Sequence, residues 1–238
     1  MANKSEELFL AGRDYTVWVF IHYYQQIQHL LRLRPRKVLE IGPGDYTVAD
    51  FLRKKGITVK TFDIDPNTRP DYVGDVREQL EIDERYDTVL ASEVFEHMDI
   101  RWLERALQNI TKVIMDGGWM VVSLPYSTIR LFPERSKYGR IVSCEGRLRT
   151  YIPFYWIQPM LTLTRAIYRI LRGRFRDAFE YVKIREWPDD RIDVHHWDLG
   201  WHPTTRKVVR EIFAKHFTVV EEKAYVNTNC VFFILRKD

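Results

Sequence analysis

Five short strings in this 238-residue chain concentrate side chains able to do chemistry. Glu40-Ile41-Gly42-Pro43-Gly44 sets a carboxylate two residues ahead of paired glycines. Glycines at a strand-to-helix turn let a ligand approach the backbone closely, beyond the carboxyl ends of a parallel sheet. The string lacks the later glycine of a dinucleotide fingerprint and the Gly-Lys-Ser/Thr of a phosphate loop, so a pyrophosphate or triphosphate fits poorly. The acid before the glycines favours a cationic ligand instead. Asp63 and Asp75 stand in Phe62-Asp63-Ile64-Asp65 and Gly74-Asp75-Val76, where an aspartate could equally cap a helix. Ser92 and Glu93 open a fourth string that runs through Glu96 to His97. The densest is His195-His196-Trp197-Asp198-Leu199-Gly200-Trp201-His202. Imidazole is the usual side chain for moving a proton near neutral pH, so His97, His195 and His196 are the candidate catalytic bases.

The elements that would position these groups follow from local pattern. Tyr15 to Leu33 has Val19, Tyr23, Ile27 and Leu30 on one helical face and stops at Arg34-Pro35, because the residue before proline avoids the helical region. It reads as a lid or packing helix. Lys37–Ile41 is a strand feeding the glycine turn, and 48–52 a helix; Thr58–Phe62 and 86–91 are further strands, the latter followed by a helix over 100–115 that Gly117-Gly118 would end. Trp119–Leu124 is a buried strand. Alternating β and α segments imply a mostly parallel sheet with right-handed crossovers. A helix over 208–215 and strands over 217–222 and 229–235 close the chain with an antiparallel hairpin. Residues 126–204 are rich in Tyr, Phe and Trp, show no βαβ rhythm, and read as an insertion covering the sheet's active edge, within a single domain spanning 1–238.

Taken in order, the four strings Glu40–Gly44, Phe62–Asp65, Gly74–Val76 and Tyr86-Asp87 through Glu93 to His97 resemble the class I S-adenosylmethionine-dependent methyltransferase family over about residues 36–125 and the closing hairpin. The resemblance implies a Rossmann-like, doubly wound α/β fold with a seven-stranded sheet, and S-adenosylmethionine as cofactor with S-adenosylhomocysteine as product. Glu40 would then anchor the methionine ammonium, Gly42 and Gly44 line the cofactor, and Asp63 accept both ribose hydroxyls, which suit a carboxylate's two oxygens. Asp75 would take the adenine amino group, Ile64 and Val76 sandwich the ring, and Ser92 with Glu93 lie beside the methyl donor. Tyr46 stands where many members have a third glycine. Glu93, Glu96 and His97 are also similar to a magnesium-binding group of ubiquinone-pathway and small-RNA methyltransferases, although family members without metal carry the same pattern; no metal ligand is assigned.

Methyl transfer from a sulfonium is a displacement, so alignment dominates and a hydroxyl acceptor needs a base. The aromatic insertion favours a covered small-molecule, glycan or lipid-linked acceptor, methylated on oxygen. Arg165, Arg169, Arg172 and Arg176 share one helical face opposite Met160, Leu163, Ile167 and Ile170, so residues 160–176 could lie on an anionic membrane, bind a phosphate-bearing partner, or simply cover the core. Residues 130–185 hold 13 Lys or Arg against 4 acids, while the whole chain is only +4. That basic segment also keeps an RNA methyltransferase in view, against the modest total charge and the lack of a separate RNA-binding module. A cofactor-binding scaffold without turnover is the remaining alternative.

Composition sets the outer bounds. With 45% hydrophobic and 29% charged residues the chain is neither disordered nor fibrous. Cys144 and Cys230 form no CxxC pair, which suits a reduced, cytoplasmic protein. The first residues lack the basic and apolar regions of a signal peptide, and no apolar run is long enough to span a bilayer.

Overall fold

The computed structural model describes residues 17–130, 151–172, 194–225 and 228–238. In chain order the elements are α1 (Val17–Leu33), β1 (Lys37–Ile41), α2 (Thr47–Lys54), β2 (Thr58–Asp63), β3 (Tyr72–Val73), β4 (Tyr86–Ser92), α3 (Leu103–Val113), β5 (Ile114–Pro125), β6 (Thr128–Arg130), β7 (Tyr151–Pro153), α4 (Phe154–Leu171), α5 (Arg206–Phe213), β8 (Thr218–Tyr225) and β9 (Cys230–Arg236).

Seven strands form one sheet in the order β3-β2-β1-β4-β5-β9-β8. The first five run parallel, and β9 and β8 close the sheet antiparallel, as expected for a doubly wound fold with a terminal hairpin. The order reverses between β1 and β4, which opens a crevice beyond their carboxyl ends. Two-residue periodicity sorts the strand side chains onto two buried faces. Leu39, Ile41, Val89, Ala91, Met120, Val122, Phe233 and Leu235 pack toward α3 and α5. Val38, Leu90, Val121, Phe232 and Ile234 pack toward α1 and α2. Burial on both faces is why these strands read as continuous apolar runs.

Three local expectations are corrected. The helix expected over 100–115 begins as a single 3-10 turn at Ile100–Trp102 and its α-helical part ends at Val113. Gly117 and Gly118 lie inside β5, near the shift in its register with β4, rather than at a helix end. A side chain at Gly118 would lie 2.8 Å from the Met115 carbonyl, so the glycine is required by the strand's own packing. On α1 the buried set is Ile21, Gln25, Gln26, His29 and Leu30, extending beyond the apolar stripe and largely polar. His29 and the Gln25 side-chain oxygen are tolerated there because they are partnered. Tyr225 Oη lies 3.0 Å from His29 Nε2, whose ring stacks on Phe232 at 4.7 Å, and Thr228 donates to Gln25 Oε1 at 2.8 Å.

Within 126–204 the described parts are the β6–β7 ribbon, α4, and the stretch from Val194 onward; residues 131–150 and 173–193, with Cys144 and Arg176, lie outside the described residues, as does the N-terminal segment 1–16. The stretch from Val194 runs beside the end of β5: Leu199 N–H donates to the Pro125 carbonyl at 2.9 Å and Ser127 N–H to the Leu199 carbonyl at 2.8 Å. Among the described residues no helix is long and apolar enough to cross a membrane.

Candidate active site

The crevice beyond β1 and β2 is a cleft of about 210 Å³ lined by Ile41, Gly42, Phe62, Asp63, Ile64, Gly74, Asp75, Val76, Glu93, Val94, His97 and Met98, among others. Of the residues expected at the cofactor, Gly42, Asp63, Ile64, Asp75, Val76 and Glu93 line it, and Glu40, Gly44 and Ser92 do not.

Gly42 sits at the strand's end with φ +66°, its N–H donating to the Phe62 carbonyl at 2.9 Å. A Cβ there would fall 2.7 Å from Val94 Cγ2, so the turn is built around the missing side chain. Tyr46 also takes a left-handed φ, +64°, which costs a non-glycine residue about 1 kcal/mol. Its hydroxyl donates to the Thr68 carbonyl at 2.8 Å, which ties the ring toward the loop after β2.

Asp63 ends β2 and accepts from Asp65 N–H at 2.9 Å, and burial holds its carboxyl above the usual aspartate range. One oxygen is thus fixed by backbone, and the carboxylate is oriented into the cleft before any ligand arrives. Asp75 is engaged differently. It accepts from Arg77 N–H at 2.8 Å and from the Arg77 guanidinium at 2.6–3.0 Å, so an adenine amino group would share it with that cation. Ile64 and Val76 both line the cleft, Ile64 partly exposed and Val76 buried.

Glu40 points to the opposite face of the sheet, toward the first turn of α2. It is 4% exposed, burial pushes its pKa up to about 8, and the Ala49 N–H is its hydrogen-bonding neighbour. Its Oε2 has no hydrogen-bond partner. An orphaned buried carboxylate oxygen is costly unless something else satisfies it.

The other wall is a chain of polar side chains. Ser92 and Ser123 face each other across β4 and β5 with hydroxyls 2.7 Å apart, and His22 Nε2 of α1 lies 3.0 and 3.2 Å from the two. Burial lowers His22 to about 4, so this imidazole is neutral. Ser123 donates to Glu93 Oε1 at 3.0 Å. Glu93, in a left-handed turn at φ +53°, is raised to about 7 by desolvation. Glu96 is fully buried and neither carboxylate oxygen makes a well-formed hydrogen bond; burial first, and then the Glu93 charge, raise it well above the carboxylate range.

His97 lines the cleft, its Nδ1 lies 3.2 Å from the Val194 carbonyl, and its ring meets that of His195 edge-on at 4.9 Å. His195 Nδ1 lies 2.9 Å from Asp198 Oδ1, and that hydrogen bond raises the imidazole's pKa. Ser127 donates to the other Asp198 oxygen at 2.9 Å. The structure therefore brings His97 and His195 together at the cleft's rim. His196 meets this wall through its backbone, donating to the Glu96 carbonyl at 2.7 Å, as Trp197 Nε1 donates to the Met98 carbonyl at 2.9 Å.

Sequence reasoning left out His22, Ser123, Ser127 and the role of Asp198. The i, i+3 spacing of His195 and Asp198 was the available signal for the last; nothing local marks the other three, which act across 30 to 101 positions of chain or more.

Glu96, His97 and His195 each offer one ligand atom, all within 4.8 Å of one another. Two imidazoles against one carboxylate is a nitrogen-rich set, poorly matched to magnesium, which takes oxygen ligands in octahedral array.

The cleft's residues do fit S-adenosylmethionine: a glycine cradle, a pre-set carboxylate for vicinal hydroxyls, and apolar walls for a flat ring. The sequence model of the methyltransferase-domain family matches residues 18–171, more than half of the chain. No curated protein sequence matches. Among solved structures, the chain is similar to the 1,6-didemethyltoxoflavin-N1-methyltransferase of Burkholderia thailandensis with bound 1,6-didemethyltoxoflavin and S-adenosylhomocysteine, at 15% identity, covering 98% of this chain and 85% of that one, with a TM-score of 0.54. It is similar also to the glycopeptide N-methyltransferase MtfA, at 15% identity over 100% of both chains, with a TM-score of 0.52. With the cleft, the sheet order and the family match in agreement, the chain belongs to the class I S-adenosylmethionine-dependent methyltransferases.

Proposed function

We propose that this methyltransferase acts on a hydroxyl of a small organic, glycan or lipid-linked acceptor, with His195 as the base. The observation that carries the reading is the His195–Asp198–Ser127 arrangement next to His97 on the cleft. Asp198 accepts from Nδ1–H and so fixes the tautomer that leaves Nε2 able to take a proton. Ser127 holds Asp198 in place. S-adenosylmethionine, when bound, would supply the methyl group from its sulfonium, and His195 would take the proton that the acceptor hydroxyl gives up. Burial raises both Glu93 and Glu96, and the Glu93 charge disfavours ionisation of Glu96, so at neutral pH the pair carries less negative charge beside the cleft than two ordinary carboxylates would.

A panel of phenolic, sugar and polyprenyl-linked alcohols, assayed for S-adenosylhomocysteine release, tests this. His195→Gln should lose turnover by about 100-fold while binding the cofactor normally. Undiminished turnover in that variant would remove His195 from the chemistry.

A second reading is methylation of nitrogen, since the two similar structures named above are N-methyltransferases. A neutral amine attacks through its own lone pair and sheds its proton afterwards. Under that reading amine acceptors turn over in the panel and His195→Gln changes kcat by less than about threefold.

A further inference from the structure

Helix α4 carries a stripe of large apolar side chains on the outside, while Ile157, Leu161 and Ile170 are half-buried. Trp156, Met160, Leu163, Ile167 and Leu171 recur at intervals of three or four, which stacks them into one stripe, and each is between 51% and 81% exposed. The residues turned inward are Gln158, Thr162 and Ala166, all buried. A helix that only covers a core does the reverse, with its apolar stripe inward and polar groups to solvent.

Five adjacent large apolar residues form a patch of the kind that marks a binding surface. Its charge says which kind. The eighteen residues of α4 contain no acid, Arg165 and Arg169 lie within it, and Arg172 caps its end beside Tyr168. The surrounding sequence over 130–185 carries 13 basic residues against 4 acidic. Basic flanks, a tryptophan near one end and an aliphatic stripe are what a helix needs to lie in the headgroup region of an anionic bilayer. At 18 residues with Pro159 inside and two arginines, α4 does not have the apolar length to cross one.

We infer that α4 docks this methyltransferase on an anionic lipid surface, with Trp156, Met160, Leu163, Ile167 and Leu171 entering the interface and the exposed Arg165 and Arg172 meeting lipid phosphates. This surface is separate from the cleft, so the inference stands whichever acceptor is methylated.

The test is co-sedimentation of the full-length protein with vesicles of phosphatidylcholine alone and of phosphatidylcholine with equimolar phosphatidylglycerol. A double variant, Leu163→Glu with Ile167→Glu, serves as comparison, and cofactor affinity is measured in parallel as the check on folding. Both side chains already face outward, so the fold and the cofactor affinity should be kept. Wild type should pellet with the anionic vesicles, less so as salt is raised, and the double variant should partition on the order of a hundredfold more weakly. Failure of wild type to pellet with anionic vesicles at low salt overturns the inference, as does a double variant that pellets like wild type. A wild-type dimer that the double variant converts to monomer, with no vesicle binding by either, would show that the stripe belongs to a second copy of the chain and would overturn it too.

Discussion

If the ligand's ammonium reaches Glu40, which faces the first turn of α2 rather than the cleft lining, cofactor binding should be strongly pH-dependent. Its carboxyl is held at about 8 by burial, so with no ligand bound about nine in ten molecules carry the proton at pH 7. An ammonium placed against the unpartnered Oε2 would favour the ionised form, and binding would then expel the proton. From pH 8 down to pH 6, the ionised fraction of free protein falls from about one half to about one hundredth, which weakens binding about 50-fold, or about 2.3 kcal/mol. Above about pH 8 the ligand's own α-ammonium deprotonates and the gain ends, so affinity should peak near there. Calorimetric titration with S-adenosylhomocysteine, in two buffers of different ionisation enthalpy at pH 7, should count close to one proton released. Glu40→Gln should bind weakly with no pH slope and no proton release. The same substitution should not unfold the protein. Because the native state keeps the Glu40 proton between its ordinary 4.5 and about 8 while the unfolded chain has lost it, ligand-free stability falls as pH rises across that window. Glu40→Gln removes that loss, so its melting temperature should overtake wild type at alkaline pH. Wild-type affinity that stays flat from pH 6 to 8, with no proton released, would refute the assignment of Glu40 to the ammonium.

Asp63→Ala removes the oriented acceptor for two hydroxyls and should weaken S-adenosylhomocysteine binding about 100-fold by calorimetry, with little change in melting temperature. Asp198→Asn deprives His195 of the charge that raises its pKa; the acid limb of the kcat–pH profile should move to lower pH and kcat fall, with cofactor affinity unchanged. Gly200→Ala should destabilise the fold by about 2 kcal/mol or more, seen in thermal melts, because φ is +99° there and the new Cβ would fall 2.3 Å from the Ser127 carbonyl oxygen.

The donor half was legible because it is local. Gly42, Asp63 and Val76 each follow a strand within a few residues, so their places at the carboxyl edge follow from strand and turn pattern alone. Glu40 shows the limit of that reasoning. It sits on the strand itself, and period-two alternation turns it to the opposite face from Leu39 and Ile41, away from the cleft lining. The acceptor half depends on contacts distant in sequence, such as His22 with Ser123 and Ser127 with Asp198, and no periodicity reports those. On α1 the buried face is wider than the apolar spacing suggested: Leu30 is buried and Tyr23 and Ile27 pack against the core, but Gln25 and His29 are buried too, stabilised by partners on the closing hairpin about two hundred residues away. The helix expected to end at Gly117-Gly118 stopped earlier because the chain had already joined β4 at Ile114.

Helix α4 is fastened to the segment that carries His195. Tyr155 N–H donates to the Gly200 carbonyl at 2.6 Å, and His202 N–H donates to Gln158 Oε1 at 3.0 Å, so the start of the helix and the segment after the base move as one piece. A surface that held the helix flat would therefore also set the direction in which the cleft's rim faces. An enzyme so tethered would meet acceptors embedded in the same sheet of lipid by lateral diffusion in two dimensions, where orientation is already chosen, while its cofactor continued to arrive from three.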